Sequence, residues 1–187
     1  MYGHEKEEDS MKQDRKVVVF IACSLDGYIA TKDESLEWLF QVEGEGDNGF
    51  SAFYETVDTV VMGKRTYDWV MNQEMETFPY EGKECVVFSR SEWEDTEHVS
   101  YRNGDVRSFV DKQKGRSGKN IWVVGGGELL HAFIQEGLVD EFIITVAPVI
   151  LGNGIPLFRE GDHGLNLKLK GTQSFNQFVE LHYELKR

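Results

Sequence analysis

The chain has 187 residues, 40% hydrophobic and 12% aromatic, enough for one domain with a sizeable core and too apolar for a disordered chain. Its formal net charge of −13 argues against a nucleic-acid or anionic-membrane partner. A small anionic ligand remains compatible, because a few local cations and backbone N–H groups override a distant negative surface.

The opening MYGHEKEEDS is polar, so residues 1–15 read as a frayed tail ahead of a single domain over 16–187, with Met11 an alternative start. Lys12, Arg15 and Lys16 precede VVVFIACSL and imitate a short signal peptide. The apolar run is short, however, and passes straight into DGYIA, so 17–23 reads as a first strand buried on both faces. Nothing approaches the ~20 apolar residues of a membrane span.

Further β-branched runs predict strands at 59–62, 85–88, 98–101, 121–124 and 141–146. Helical stripes lie between them. Phe50, Phe53, Tyr54 and Val57 follow a possible N-cap at Asp47, and Thr66, Tyr67, Val70 and Met71 make the second stripe. Val106, Phe109 and Val110 make the third, and Leu129, Leu130, Phe133 and Ile134 the fourth, closed by Gly137. All four read as core packing. LNLKLKG and FVELHYEL then alternate with period two around TQSFN, which predicts an antiparallel hairpin with one wet face. The class is α/β, a mostly parallel sheet ending in a hairpin.

Cys23 and Cys85 sit in apolar runs and read as reduced core residues, which favours a cytoplasmic protein; a disulfide between them stays open. The five histidines are scattered without metal-ligand spacing, so no metal is expected.

Three stretches suggest a phosphate. IWVVGGGELL takes a strand into glycines and a helix N-terminus. The dinucleotide pattern G-x-G-x-x-G is only partly met, since Gly125 and Gly127 fit but Leu130 holds the third place. In VMGKRTY a strand ends at Met62, Gly63 turns the chain, and a helix starts with Lys64 and Arg65. VVFSR ends a strand with the hydroxyl of Ser89 and the guanidinium of Arg90. Taken singly, these are solvated charges, a loop and turn glycines. Together, three strand ends on one edge of a parallel sheet converge on one anion. GKRT is not a P-loop, for it lacks the upstream glycine and has Arg after the Lys.

ACSLDGYIA, VMGKRTY, VVFSR, VVGGGELL and APVILGNGIPLF, in this order, resemble the dihydrofolate reductase-like superfamily, and more nearly the reductase domain of riboflavin biosynthesis, the RibD C-terminal domain. The resemblance runs from about Val17 to the C-terminus. It implies a three-layer αβα sandwich, a homodimer and NADPH as cofactor. The implied reaction is hydride transfer to a small heterocycle or a pyrimidine ribosyl phosphate, as in 5-amino-6-(5-phosphoribosylamino)uracil reductase. The implied cofactor residues are Ala22 and Ile29 beside the carboxamide, then Gly63, Lys64, Arg65, Thr66, Ser89, Arg90, Gly125, Gly126, Gly127, Glu128 and Leu129. Lys64 and Arg90 would meet the additional ribose phosphate, and Asp26–Gly27 would turn the adjoining loop.

Ser35, Leu36 and Leu39, with Trp38, are the expected substrate wall, where water must be excluded. Here the sequence departs from its relatives. Dihydrofolate reductases carry a carboxylate where Ser35 stands, which disfavours folate reduction. Asp33 and Glu34 are the nearest candidates for a catalytic acid, but an offset of one residue turns a helical side chain by ~100°. Val124 stands where riboflavin-pathway reductases often have an acid, and a deaminase's zinc ligands are absent. A diverged dihydrofolate reductase and a non-catalytic NADP-binding module are the alternative readings.

Overall fold

The computed structural model describes residues 14–187, so residues 1–13 of the expected tail lie outside the described residues. Ordered packing already holds Arg15, which is 3% exposed. Its guanidinium donates to Asp58, to Thr59 Oγ1 (2.7 Å), to Gln113 Oε1 (2.8 Å) and to the Lys119 carbonyl (2.7 Å).

β1 (Val17–Ser24) is a β-branched run with a residue buried on either face, the pattern of a central strand. It lies inside an eight-stranded sheet with β3 (Val57–Gly63), β4 (Glu84–Phe88), β5 (Val99–Arg102), β6 (Asn120–Gly125), β7 (Glu141–Ala147), β9 (Leu167–Phe175) and β10 (Phe178–Leu185). The order is β5-β4-β3-β6-β1-β7-β10-β9. The six strands from β5 to β7 are parallel; β10 runs antiparallel to β7, and β9 antiparallel to β10. β2 (Tyr28–Ala30) and β8 (Ile155–Pro156) form a separate small antiparallel pair.

Side chains alternate along β1 and divide the core in two. Val17 and Val19 pack with Val123, Leu130, Phe133 and Phe142 beneath α4 (Val106–Lys114) and α5 (Gly127–Gln135). Val18 packs with Val60, Met62, Trp122 and Phe53 of α2 (Phe50–Tyr54), and Tyr67 of α3 (Lys64–Met71) lies against the same cluster. The expected three-layer αβα sandwich is the observed architecture. Phe20 stacks on Phe53 with ring centroids 4.1 Å apart, so Phe53 is core; Phe50 of the same expected stripe is exposed, and Val57 opens β3 instead. A third cluster of Ala147, Phe175 and Phe178 is covered by Trp38 and Leu39 of α1 (Glu37–Phe40).

Local chemistry sets the boundaries. The Asp47 carboxylate accepts N–H bonds from Gly49 (3.1 Å) and Ser51 (2.8 Å) at the start of α2. Gly137 adopts φ +64 just after α5, the left-handed cap that glycine permits. The hairpin departs from expectation. TQSF belongs to β9 rather than to the connection, and Asn176 and Gln177 alone separate the strands, Asn176 at φ +55.

Cys23 and Cys85 are buried, free and in different core clusters, so burial pushes their thiols up to about 11 and about 12. Among the described residues no helix is long and apolar enough to cross a membrane, and no group of His, Cys, Asp and Glu is placed to hold a metal ion.

Candidate cofactor and acceptor site

Parallel register brings the phosphate motifs together. Gly63 lies opposite Phe88, and Met62 opposite Gly125, so β3, β4 and β6 end side by side. α3 starts directly after β3, and α5 one residue after β6. Neither has a side-chain cap, so the first N–H groups of each face outward unpaired by their own helix. In α5 the first residue to bond back is Leu130, to the Gly126 carbonyl at 3.0 Å, which leaves the N–H groups of Gly127, Glu128 and Leu129. Leu129 offers its backbone only, since its side chain is in the core.

The glycines set the spacing between the two helix ends. A Cβ on Gly63 would lie 3.8 Å from the Gly126 nitrogen, and a Cβ on Gly126 would lie 3.1 Å from Thr66 Oγ1. Gly125, at φ +127, needs glycine for its backbone; Gly126, at φ −72, needs it for space. The Gly125–Gly126 peptide is cis. Ser89, one residue beyond β4, accepts from Trp93 Nε1 (3.0 Å) and from the Ser91 N–H (3.1 Å). Both lone pairs are thus used, and its own O–H is left to donate to an anion.

Each cation expected here has an intramolecular partner. Lys64 Nζ lies 2.5 Å from Asp68 and 4.2 Å from the Trp93 ring centroid. Arg65 pairs with Glu34. Arg90 lies 2.8 Å from Glu128, which Arg159 also approaches at 3.6 Å. Exposed pairs contribute only about 0–1 kcal/mol, whereas a charge-assisted hydrogen bond to a phosphate contributes about 1.5–3 kcal/mol. These exposed pairs are weak enough for a phosphate to displace them. Trp93, which packs against Tyr101 and positions both Lys64 and Ser89, is invisible to sequence motifs.

Ala22, half-buried on β1, lies opposite Thr145 of β7, and Ile29 of β2 packs on the α5-side core. The intervening turn is fastened by Asp26. Its carboxylate accepts from Ser24 Oγ (2.6 Å), the Gly152 N–H (2.7 Å) and the Leu151 N–H (3.1 Å), which together hold its pKa below the usual aspartate range.

The candidate acids and substrate wall are placed as follows. Asp33 is exposed and accepts from the Thr31 hydroxyl at 2.6 Å, which lowers its pKa. Glu34, at φ +65, is turned to Arg65. The Ser35 hydroxyl accepts from the Glu37 N–H at 3.3 Å. Leu36 is the half-buried residue before α1, and Leu39 packs on Ala147, Phe175 and Phe178. The ends of β3, β4 and β6 therefore converge, while the two acids are each committed to a neighbour.

The chain compares closely with several known proteins. It is 51% identical to YwjB of Bacillus subtilis (strain 168), an uncharacterised protein, over 172 residues covering 91% of this chain and 98% of that one. A solved Shewanella sp. PV-4 protein, provisionally described as a riboflavin biosynthesis protein, superposes with a TM-score of 0.84 at 32% identity, covering 92% and 99% of the two chains. The dihydrofolate reductase of Enterococcus faecalis, solved with NADP(H), shares the fold at TM-score 0.66 and 14% identity, covering 92% and 97%. The fold thus recurs in a solved reductase, and the model of the RibD C-terminal domain matches residues 15–181. The chain belongs to the RibD C-terminal domain family.

Proposed function

We propose that the protein is an NADPH-dependent reductase acting on a small heterocycle or a pyrimidine ribosyl phosphate. The observation that carries this reading is the meeting of two uncapped helix N-termini, spaced by Gly63 and Gly126, beside the free O–H of Ser89. Unpaired N–H groups, a free hydroxyl and a cradle that a Cβ would fill fit a pyrophosphate. Gly126 admits its close approach, and the N–H groups of both helix ends hold it. Ser89, Lys64 and Arg90 hold the ribose phosphate, and Ala22 and Ile29 border the nicotinamide. NADPH, when bound, supplies the hydride, and the acceptor takes up one proton as it is reduced.

The resemblance adds a homodimer working in the cytoplasm on small molecules, with no nucleic-acid or membrane partner. The charge of −13 supports that choice of partner. The test is NADPH oxidation, followed by absorbance, with an aminopyrimidine ribosyl phosphate and with dihydrofolate. Faster turnover of the pyrimidine supports the proposal; faster turnover of dihydrofolate supports the folate reading. Tight NADPH binding without turnover of either acceptor supports the non-catalytic module.

A further inference from the structure

A cleft of about 320 Å³ opens on the Phe20 face of the sheet between α2 and the C-terminal hairpin. Phe20, Phe53 and Phe175 give it aromatic walls, and Gln173, Glu180 and His182 line its polar side.

Strand pairing relates Glu180 of this cleft to Ala22. Ala22 lies opposite Thr145 on β7, Thr145 opposite Glu180 on β10, and Glu180 opposite Gln173 on β9. Paired residues share a face, so these four form one row across the sheet. The next row holds Phe20, Ile143 and His182. With strands ~4.8 Å apart, Glu180 stands two strands, roughly 10 Å, from Ala22. That distance is about the span of one flat ring.

The carboxylates of this region differ sharply. Glu141 is engaged by Lys16 and, at 2.7 Å, by His182. Glu180 is half-buried, and its carboxylate has no hydrogen bond or ion pair among the described residues. Burial raises its pKa, with the charge of His182 opposing. The cleft leaves this carboxylate open to a ligand's donors, and flat aromatic walls favour a planar ring.

We propose that Glu180 is the carboxylate of the acceptor site, accepting from two adjacent N–H donors of a flat amino-heterocycle that lies in the cleft against Phe20. This rests on the NADPH reading through the position of Ala22 alone. It transfers the acid of the site from the loop before α1, where Ser35 stands, to the last strand.

The test titrates the full chain with 2,4-diaminopteridine as probe, by calorimetry with NADPH present, and titrates NADPH separately. Glu180→Gln, an isosteric change, should weaken the probe about ten- to a hundredfold, the value of a charge-assisted hydrogen bond, and leave NADPH affinity within about twofold. Equal probe affinity in the two proteins overturns the proposal, as does a wild type that binds NADPH but not the probe. Loss of probe affinity in Glu180→Gln when wild type binds no NADPH keeps Glu180 and discards the cofactor reading. If Glu180→Gln does not fold, the wild type decides by nuclear Overhauser contacts from the probe's ring protons. Contacts to Phe20 and Phe175 support the assignment, and their absence overturns it.

Discussion

Lys64 and Arg90 were legible as cations at strand ends, but their carboxylate neighbours were not. Asp68 is one helical turn from Lys64, whereas Glu128 reaches Arg90 only across the sheet. The partners differ in what they leave free. Lys64, 21% exposed and held against Trp93, is pre-positioned; Arg90, 89% exposed, must be ordered by the ligand. Lys64→Ala should therefore narrow the preference for NADPH over NADH by about 1–3 kcal/mol, and Arg90→Ala by less. Calorimetry on both variants checks the order; a larger effect at Arg90 contradicts it. Asp33 and Glu34 make the opposite case. The resemblance put acids near the substrate at their neighbour Ser35, yet Thr31 and Arg65 engage them. Asp33→Asn and Glu34→Gln should each leave turnover within about threefold, less than ~1 kcal/mol. A hundredfold loss in either would restore it as the acid.

Elements were easier to read than sites because each carries a repeated signal. Val17 to Cys23 announces a buried central strand, and the Leu129–Ile134 stripe with Gly137 announces a capped helix. The hairpin was read too short, since TQSF continues the alternation with polar residues whose outward face gives no apolar signal. The two-residue β8 was too short to announce itself, and the Ala22–Thr145–Glu180–Gln173 row depends on pairings between strands far apart in sequence. At the start of α5, the glycine run was legible but the reason for each glycine was not. Gly126→Val should abolish NADPH binding, because a branched side chain enters the space between the helix ends. The fold should survive, as φ −72 suits any residue and Thr66 has only a few tenths of an ångström to yield. Circular dichroism and a binding titration on the same sample check both halves; intact binding by a folded variant means that the glycines serve the turn alone.

At the scale of the molecule, one sheet organises both candidate sites: strand ends for the cofactor, the β7–β10 face for the acceptor. The same region couples stability to pH through Glu141. Burial opposes its charge, but hydrogen bonds from Lys16 and His182 prevail and hold its pKa below the usual glutamate range. Such a carboxyl adds stability above its unfolded pKa and loses it as pH falls through the folded value. Melting temperature should accordingly drop as pH falls below the ordinary glutamate range, and Glu141→Gln should reduce that slope by up to one proton. An identical slope in the variant contradicts this role.

On the proposed reading, the paired helix ends hold a phosphorylated dinucleotide. Its most direct test is calorimetric titration of the wild-type chain with NADPH and with NADH at one salt concentration. Tighter binding of NADPH, at one site per chain, is the predicted result. Equal affinity for the two nucleotides, or binding of neither, would contradict that reading.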